Sequence, residues 1–166
     1  MVKNLTLIAI TERCEQIGLE IPREVERHAT YLDLLRRWNK AVNLTSLQVD
    51  PVGPEAIDRL ILEPVLASSH VDQGQSVLDI GTGGGSPALP FAIEASANQL
   101  TMVESRTKKC AFLREAARVL QIQAMVVEAR FKEASLLAEI HSIASLVTIR
   151  AVRIDADALD LARHVL

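Results

Sequence analysis

The sequence predicts an α/β fold in which a parallel sheet follows an N-terminal helical cap. Before residue 70, apolar residues recur at three- and four-residue steps, as they do on amphipathic helices. After Gly74, short apolar runs of strand length alternate with helical stretches, the pattern of a parallel sheet with right-handed crossovers. The first run leads into a glycine-rich turn. We therefore predict a helical cap over residues 1–72 and a sheet domain over residues 73–166.

The cap region contains three segments with helical periodicity. The apolar stripe of the second segment includes Leu35 and Trp38, so we expect Trp38 in the core rather than stacked on a nucleic-acid base. Asp50-Pro51 and Gly53-Pro54 mark a loop before the third segment. The predicted cap helices span residues 5–19, 23–42 and 56–66.

The sheet region contains four runs of strand length in which β-branched residues are frequent. A four-stranded sheet is small, and an unpaired edge on its last strand would need cover. A monomer and a homodimer both remain open. The predicted strands span residues 76–80, 100–104, 124–128 and 144–149, and the helices between and after them span 86–97, 107–120, 131–140 and 155–166.

The composition is that of one soluble domain, with 166 residues, 49% hydrophobic positions and a net charge of −3. Only 3% of residues are aromatic, which argues against a base-stacking platform for single strands. Cys14 and Cys110 lie far apart within helical patterns, so we expect a reducing compartment and neither a disulfide framework nor a metal site. The chain shows no signal peptide and no apolar run of about 20 residues, so we expect a cytoplasmic protein.

The charge is distributed unevenly along the chain. Residues 105–153 hold nine Lys or Arg and four Glu, a net charge of +5, which leaves −8 for the rest. A locally basic surface can attract an anionic partner although the protein is acidic overall. The same count also fits solvated helix faces, and charge alone leaves both interpretations open.

The strongest local motif is the turn after the first predicted strand, V-L-D-I-G-T-G-G-G-S-P over residues 77–87. Its glycines allow close approach of a ligand at the edge where open α/β sheets bind nucleotides. Ser86 breaks the G-x-G-x-x-G dinucleotide fingerprint, and no G-K-[ST] follows, which excludes a Walker loop. Glu104 ends the second strand, where a carboxylate can accept hydrogen bonds from both ribose hydroxyls. The motif therefore indicates an adenosine cofactor.

Several blocks of the sequence carry a family resemblance. D-I-G-T-G-G-G and M-V-E104 resemble motifs I and II of Rossmann-like S-adenosylmethionine-dependent methyltransferases. More narrowly, the chain is similar to the bacterial guanine-N7 methyltransferases of 16S ribosomal RNA, the glucose-inhibited division protein B family, and its W-N-K-x-x-N-L-T-S block over residues 38–46 is the specific feature. The similar blocks span residues 35–46, 59–64, 77–90, 104–113 and 148–151.

The resemblance implies S-adenosylmethionine as cofactor and methyl transfer to N7 of a guanine in 16S ribosomal RNA, free or in the small ribosomal subunit. It implies a Rossmann-like methyltransferase sheet without the family's last strands, because the chain ends soon after the fourth predicted strand. It assigns Arg150 to the target site as the catalytic residue, with a surface ion pair as the alternative. It assigns cofactor contacts to Asp79, Gly81, Gly83, Gly85, Ser86, Glu104, Ser105, Phe131 and Lys132. With it, the basic residues Arg106, Lys108, Lys109, Arg114 and Arg118 are expected to contact RNA phosphates, a surface that Arg36, Arg37 and Lys40 of the cap extend.

Three rival functions remain at this point. One is a paralogue that binds the cofactor or ribosomal RNA without turnover. Another is a methyltransferase acting on a small molecule or a protein, against which the W-N-K block and the basic segment argue. A nicotinamide dehydrogenase is the weakest, because Ser86 breaks its fingerprint and no His, Tyr and Lys set is apparent.

Overall fold

The computed structural model describes residues 4–72, 74–95 and 99–166. Helices precede the sheet, and strands then alternate with helices as the sequence predicts. In chain order the elements are α1 (Leu5–Ile17), α2 (Val25–Val42), α3 (Pro54–Ile57), a π-helical turn (Asp58–Leu62), α4 (Glu63–Ser68), β1 (Ser76–Ile80), α5 (Ala88–Ala95), β2 (Gln99–Glu104), α6 (Thr107–Val119), β3 (Ala124–Glu128), α7 (Phe131–Ala134), a 3₁₀ turn (Ala138–Ile140), β4 (Leu146–Ile149) and α8 (Ala156–Val165).

The cap helices follow the predicted segments with shifted ends. The first helix stops at Ile17 because Gly18 adopts a left-handed conformation, with φ +69°, and its N–H bonds back to the last turn. The third helical run is longer than predicted, because it begins at Pro54, a residue suited to the first helical position. Its middle, Asp58–Leu62, is π-helical, a local widening that often occurs at functional sites.

All four strands are parallel and lie in the order β3-β2-β1-β4. The direction in which successive strands are added to the sheet reverses at β1. This strand pairs with β2 on one side and with β4 on the other. Such a reversal opens a crevice at the carboxyl ends of the two central strands. The fourth strand starts at Leu146, two residues later than predicted, because the Ala144 N–H donates to Val165 O at the end of α8 instead of to the sheet.

One predicted helix is wrong in its length. Residues 131–140 were expected to form a single helix, but α7 ends at Ala134 and a separate 3₁₀ turn covers Ala138–Ile140. Ala134 and Ile140 are both fully buried in one apolar cluster. In a continuous α-helix, residues six positions apart point about 120° away from each other, so the break lets both face the same core. The predicted end of the 86–97 helix lies partly outside the described residues.

Apolar clusters cover both faces of the sheet. The larger cluster joins the cap to the sheet, with Tyr31 and Leu35 of α2 among residues that include Val77 and Phe112. Trp38 packs edge-on against Phe112, with 5.8 Å between ring centroids, which confirms its place on the apolar stripe. Since the cap and the sheet share this core, the division at residue 72 stays a prediction.

The opposite face of the sheet packs on α7 and α8 through a smaller cluster that contains Leu78, Ile80 and Leu161. Alternation along β1 sends Val77 to one cluster and Leu78 to the other, as expected for a sheet buried on both faces. In the described part of the chain, no helix is both long and apolar enough to cross a membrane.

Candidate active site

A cavity of about 700 Å³ lies at the carboxyl ends of β1, β2 and β4, where the strand order reverses. Its size is within the range of small-molecule sites. Its wall is formed by the turn after β1, the segments after β2, β3 and β4, and the cap. The lining residues are Leu35, Leu44, Thr45, Ser46, Leu47, Glu55, Arg59, Leu60, Gly81, Thr82, Gly83, Gly84, Ser86, Glu104, Ser105, Arg106, Lys109, Phe131, Arg150, Ala151 and Val152.

The glycine turn approaches its neighbours too closely for side chains at some positions. Gly81 has φ +73°, and a Cβ there would lie 2.5 Å from Val152 Cγ1 and 3.3 Å from Phe131 Cζ. Gly83 also has a positive φ of +59°, but a Cβ there would meet no atom closer than 3.8 Å. The turn therefore offers bare backbone to the cavity at Gly81 and Gly83.

Glu104 is fixed at the end of β2 with its carboxylate on the cavity wall. It is only 7% exposed. One carboxylate oxygen accepts the Gly83 N–H at 3.0 Å and the other accepts the Arg106 N–H at 2.9 Å. Each carboxylate oxygen can accept a second hydrogen bond, so Glu104 can both hold the glycine turn and receive ligand hydroxyls.

Asp79 lies beneath the turn and does not line the cavity. Its Oδ1 accepts the Thr148 hydroxyl at 2.6 Å, across the register that pairs the two residues on β1 and β4. Its Oδ2 is buried without a hydrogen-bond partner. Burial raises the pKa of Asp79 to about 6, an effect that the hydrogen bond from Thr148 partly offsets. Its visible contact is therefore structural, and the expected cofactor contact stays a prediction.

Arg150 joins three parts of the molecule through its guanidinium. Nη2 donates to Ser86 O at 3.1 Å and to Ser86 Oγ at 2.7 Å, and Nη1 donates to Arg59 O. The Glu63 carboxylate is 3.7 Å away. Burial lowers the pKa of Arg150. The main partners of the Arg150 guanidinium are therefore backbone and hydroxyl oxygens. The sequence had left open a surface ion pair as the alternative. The catalytic role stays a prediction.

Ser86 continues this network into the cap. Its hydroxyl donates to Leu60 O at 2.9 Å. Both Leu60 and Arg59 belong to the π-helical turn, and their carbonyls accept hydrogen bonds from outside the helix. Arg150 and Ser86 thus bond to adjacent carbonyls of the π-helical turn and fasten the cap to the edge of the cavity.

The cap also contributes to the cavity wall, which the sequence pattern did not predict. Asn39 of the W-N-K block accepts the N–H groups of Leu44 and Thr45 at 2.7 and 3.0 Å and donates to Thr45 O. This folds the loop after α2 against the cavity, so that residues 44–47 line it. Asn39, five residues before Leu44, could have indicated this fold of the loop, because an Asn side chain can hydrogen-bond to nearby backbone groups.

The structure brings together only some of the predicted cofactor residues. Gly81, Gly83, Ser86, Glu104, Ser105 and Phe131 line the cavity together with Arg150. Besides Asp79, two of them lie off the wall. Gly85 faces the core, where a Cβ would lie 2.6 Å from Leu89 Cδ1, and Lys132 is exposed.

The predicted RNA-contacting residues separate into two groups. Arg106 and Lys109 line the cavity, and Lys108 and Arg37 are exposed. The others have acidic neighbours. Arg36 and Lys40 lie 3.7 and 3.2 Å from the Asp50 carboxylate, Arg114 lies 3.5 Å from Glu128, and Arg118 lies 2.8 Å from Glu115. Within the described residues, the predicted RNA-contacting cations without a carboxylate neighbour therefore lie at the cavity rim more than along α2.

The family to which the chain belongs is identified by similarity to known protein families. The profile of the rRNA small subunit methyltransferase G (GidB) family matches residues 24–166. The chain belongs to this family. It is 35% identical over 144 residues to the ribosomal RNA small subunit methyltransferase G of Neisseria gonorrhoeae, an alignment that covers 85% of this chain and 65% of the relative. The chain thus spans about two thirds of the length of that relative.

Solved structures show the same fold at low sequence identity. A SAM-dependent methyltransferase from Aquifex aeolicus aligns with a TM-score of 0.54 and 14% identity, covering 79% of this chain and 66% of that one. Another from Geobacter sulfurreducens, solved in complex with S-adenosyl-L-homocysteine, aligns with a TM-score of 0.52 and 14% identity, covering 81% and 51%. The predicted Rossmann-like methyltransferase fold is confirmed.

Proposed function

We propose that this chain binds S-adenosylmethionine and serves the transfer of a methyl group to N7 of a guanine in 16S ribosomal RNA. The observation that carries the proposal is the position of Glu104 beside the glycine turn, on the wall of a cavity of about 700 Å³, in a member of the methyltransferase G family. Membership supports the nucleic-acid substrate, and the cavity supports the cofactor.

The residues of the cavity fit an adenosine cofactor. Gly81 and Gly83 present backbone without side chains, as close approach of a ligand requires. Glu104 has accepting capacity left for two ribose hydroxyls. The Phe131 ring lies beside Gly81 and supplies an apolar surface for a base. We assign Glu104 to the ribose, Phe131 to the adenine, and Gly81, Gly83 and Ser86 to the methionine end. S-adenosylmethionine supplies an electrophilic methyl group when bound.

The chain's own contribution to the chemistry is placement. N7 of guanine carries a lone pair, so its attack on a methyl group needs no general base, and we assign none. We assign the glycine turn and Glu104 to hold one reactant, and Arg150, which lies on the wall beside Ser86, to orient the guanine or an adjacent phosphate. Orientation of this kind can contribute about 7–11 kcal/mol in well-aligned reactions.

The RNA would approach over the positive rim of the cavity. Arg106 and Lys109 lie on that rim, next to the proposed ribose site. Their charges would neutralise phosphates and make binding depend on salt. We expect the protein to act in the cytoplasm, where ribosomal RNA is found. Within the described residues β4 pairs only with β1, so its open edge leaves monomer and homodimer as alternatives.

Calorimetric titration with S-adenosylhomocysteine tests the cofactor assignment. We expect micromolar binding by the unmodified chain and its loss in Glu104→Gln. Glu128→Gln is the matched control, because Glu128 ends the neighbouring strand in register with Glu104 but lies off the cavity wall. Absence of heat from a folded, unmodified chain would overturn the assignment.

A methyl-transfer assay tests the reaction. Small ribosomal subunits or 16S RNA lacking the modification would be incubated with the chain and S-adenosylmethionine labelled in its methyl group. We expect label in guanine N7. Cofactor binding with no transfer would instead favour the binding-only function.

A further inference from the structure

Tyr31 is the only tyrosine of the chain and lies fully buried on α2 of the cap. Its hydroxyl donates to Gly84 O at 2.7 Å, although 53 residues separate the two. Burial raises the pKa of this phenol, so it stays a donor throughout the physiological range. A side chain outside the cavity wall thus contacts the glycine turn directly.

Two side chains from outside the turn form hydrogen bonds with it. The Gly83 N–H donates to Glu104, while the following residue gives its carbonyl to Tyr31. These two bonds orient the 82–83 and 84–85 peptide groups, which lie on either side of the Gly83–Gly84 peptide, in a stretch where the glycines allow wide backbone freedom. Loss of either bond would let the turn sample other conformations.

The cap also fits closely around Gly84 by shape. A Cβ at this position would lie 3.0 Å from Leu44 O and 3.2 Å from Leu35 Cδ1. Both neighbours belong to the cap and line the cavity. The cap therefore packs directly on the middle of the turn, and the Tyr31 hydroxyl lies in that contact.

We infer that Tyr31 is a positioning residue of the cofactor crevice, which orders the glycine turn for the cofactor through its bond to Gly84 O. The inference rests on the proposed function for the identity of the ligand. The ordering of the turn is a property of the chain alone and can be measured without ligand.

Tyr31→Phe removes only the hydroxyl. We expect S-adenosylhomocysteine to bind about 3- to 10-fold more weakly, the range that loss of one buried hydrogen bond gives. The matched control is Thr6→Val. It removes another nearly buried hydroxyl of the cap, which donates to Asp33 Oδ1 at 2.6 Å and ties α1 to α2 away from the turn. We expect this control to lower stability without changing the dissociation constant.

Amide signals of the glycines provide a readout that general destabilisation would not move. Four of the seven glycines lie in the turn, and glycine signals fall in a separate region of the ¹H–¹⁵N spectrum. We expect Tyr31→Phe to shift or broaden those of residues 83–85 without ligand, and Thr6→Val to leave them in place. Unchanged signals in a folded Tyr31→Phe chain would overturn the inference, as would an unchanged dissociation constant in a chain whose unmodified form binds.

A second measurement avoids substitution of the residue. Growth on 3-fluorotyrosine labels only position 31, because the chain has no other tyrosine. We expect the ¹⁹F signal to shift on addition of S-adenosylhomocysteine, with the same midpoint as the calorimetric titration. A ¹⁹F signal that does not shift when the ligand binds would contradict the inference. If the unmodified chain binds no ligand, the proposed function fails, and the glycine signals alone then decide whether Tyr31 orders the turn.

Discussion

Arg150 and Ser86 are joined by two hydrogen bonds, from Nη2 to Ser86 O at 3.1 Å and to Ser86 Oγ at 2.7 Å. The serine hydroxyl in turn donates a hydrogen bond to Leu60 O at 2.9 Å. The end of β4, the glycine turn and the π-helical turn of the cap are therefore linked through one side chain of two heavy atoms.

Ser86→Ala should destabilise the protein by about 1–3 kcal/mol, because it leaves Leu60 O without its donor and Arg150 without one acceptor. Urea unfolding followed by the fluorescence of Trp38, the only tryptophan, measures this. Ser135→Ala is the control: its hydroxyl donates to Lys132 O at 2.9 Å in an exposed turn. Equal effects of the two substitutions would show that the link contributes no special stability.

Gly81→Ala should destabilise the fold more than Gly83→Ala. Both positions have positive φ, which costs an L-residue roughly 1–2 kcal/mol, but only at Gly81 would the new Cβ overlap Val152 Cγ1, at 2.5 Å. Overlap in a packed site typically adds about 1–3 kcal/mol. Unfolding free energies of the two variants test the order. Adding Val152→Ala to Gly81→Ala should recover the overlap part, and no recovery would contradict this explanation.

Asp79 should make stability fall as pH rises from about 4 to about 6. Its pKa is raised from 3.8 to about 6 in the folded state, so the unfolded chain gives up the proton first over that interval. The stability contributed by the protonated form is fully present below pH 4 and lost above pH 6, a change of roughly 3 kcal/mol. Unfolding curves of the unmodified chain and Asp79→Asn at several pH values test this.

The informative quantity is the difference in unfolding free energy between the two chains, since other carboxyl groups titrate in both. We expect the unmodified chain to lose stability relative to Asp79→Asn as the pH rises through this interval. A constant difference from pH 4 to pH 7 would mean that Asp79 titrates alike in the folded and unfolded states.

Lys109→Gln should weaken binding to a 16S RNA fragment and lower the slope of log affinity against log salt by about one, as expected for one lost phosphate contact. Lys40→Gln is the matched control, because the Lys40 ammonium lies 3.2 Å from Asp50 and its charge is already countered. Filter binding at several salt concentrations measures both slopes. A larger loss from Lys40→Gln would place the RNA over the cap instead of the cavity rim.

The strands and the glycine turn could be predicted from local sequence. Residues 76–80 and 124–128 form strands with the predicted bounds, because short apolar runs that contain β-branched residues favour strands. Glu104 could be placed beside the turn because parallel strands bring their carboxyl ends to one edge. The break in the helix predicted over 131–140 could not be predicted, since it serves a cluster that only the packed sheet creates.

The sequence by itself determined the fold class, the glycine turn and the carboxylate facing it, since each depends on residues close together in the chain. Only the tertiary structure decided the partners of side chains far apart in it. Asp79, expected at the cofactor, is buried against Thr148, and Arg150, expected at the target base, bonds to Ser86 and Arg59 O. The contact of Tyr31 with Gly84 has the same origin. Most buried polar groups form hydrogen bonds with whichever groups packing brings next to them. The local sequence pattern therefore does not predict which partners they have.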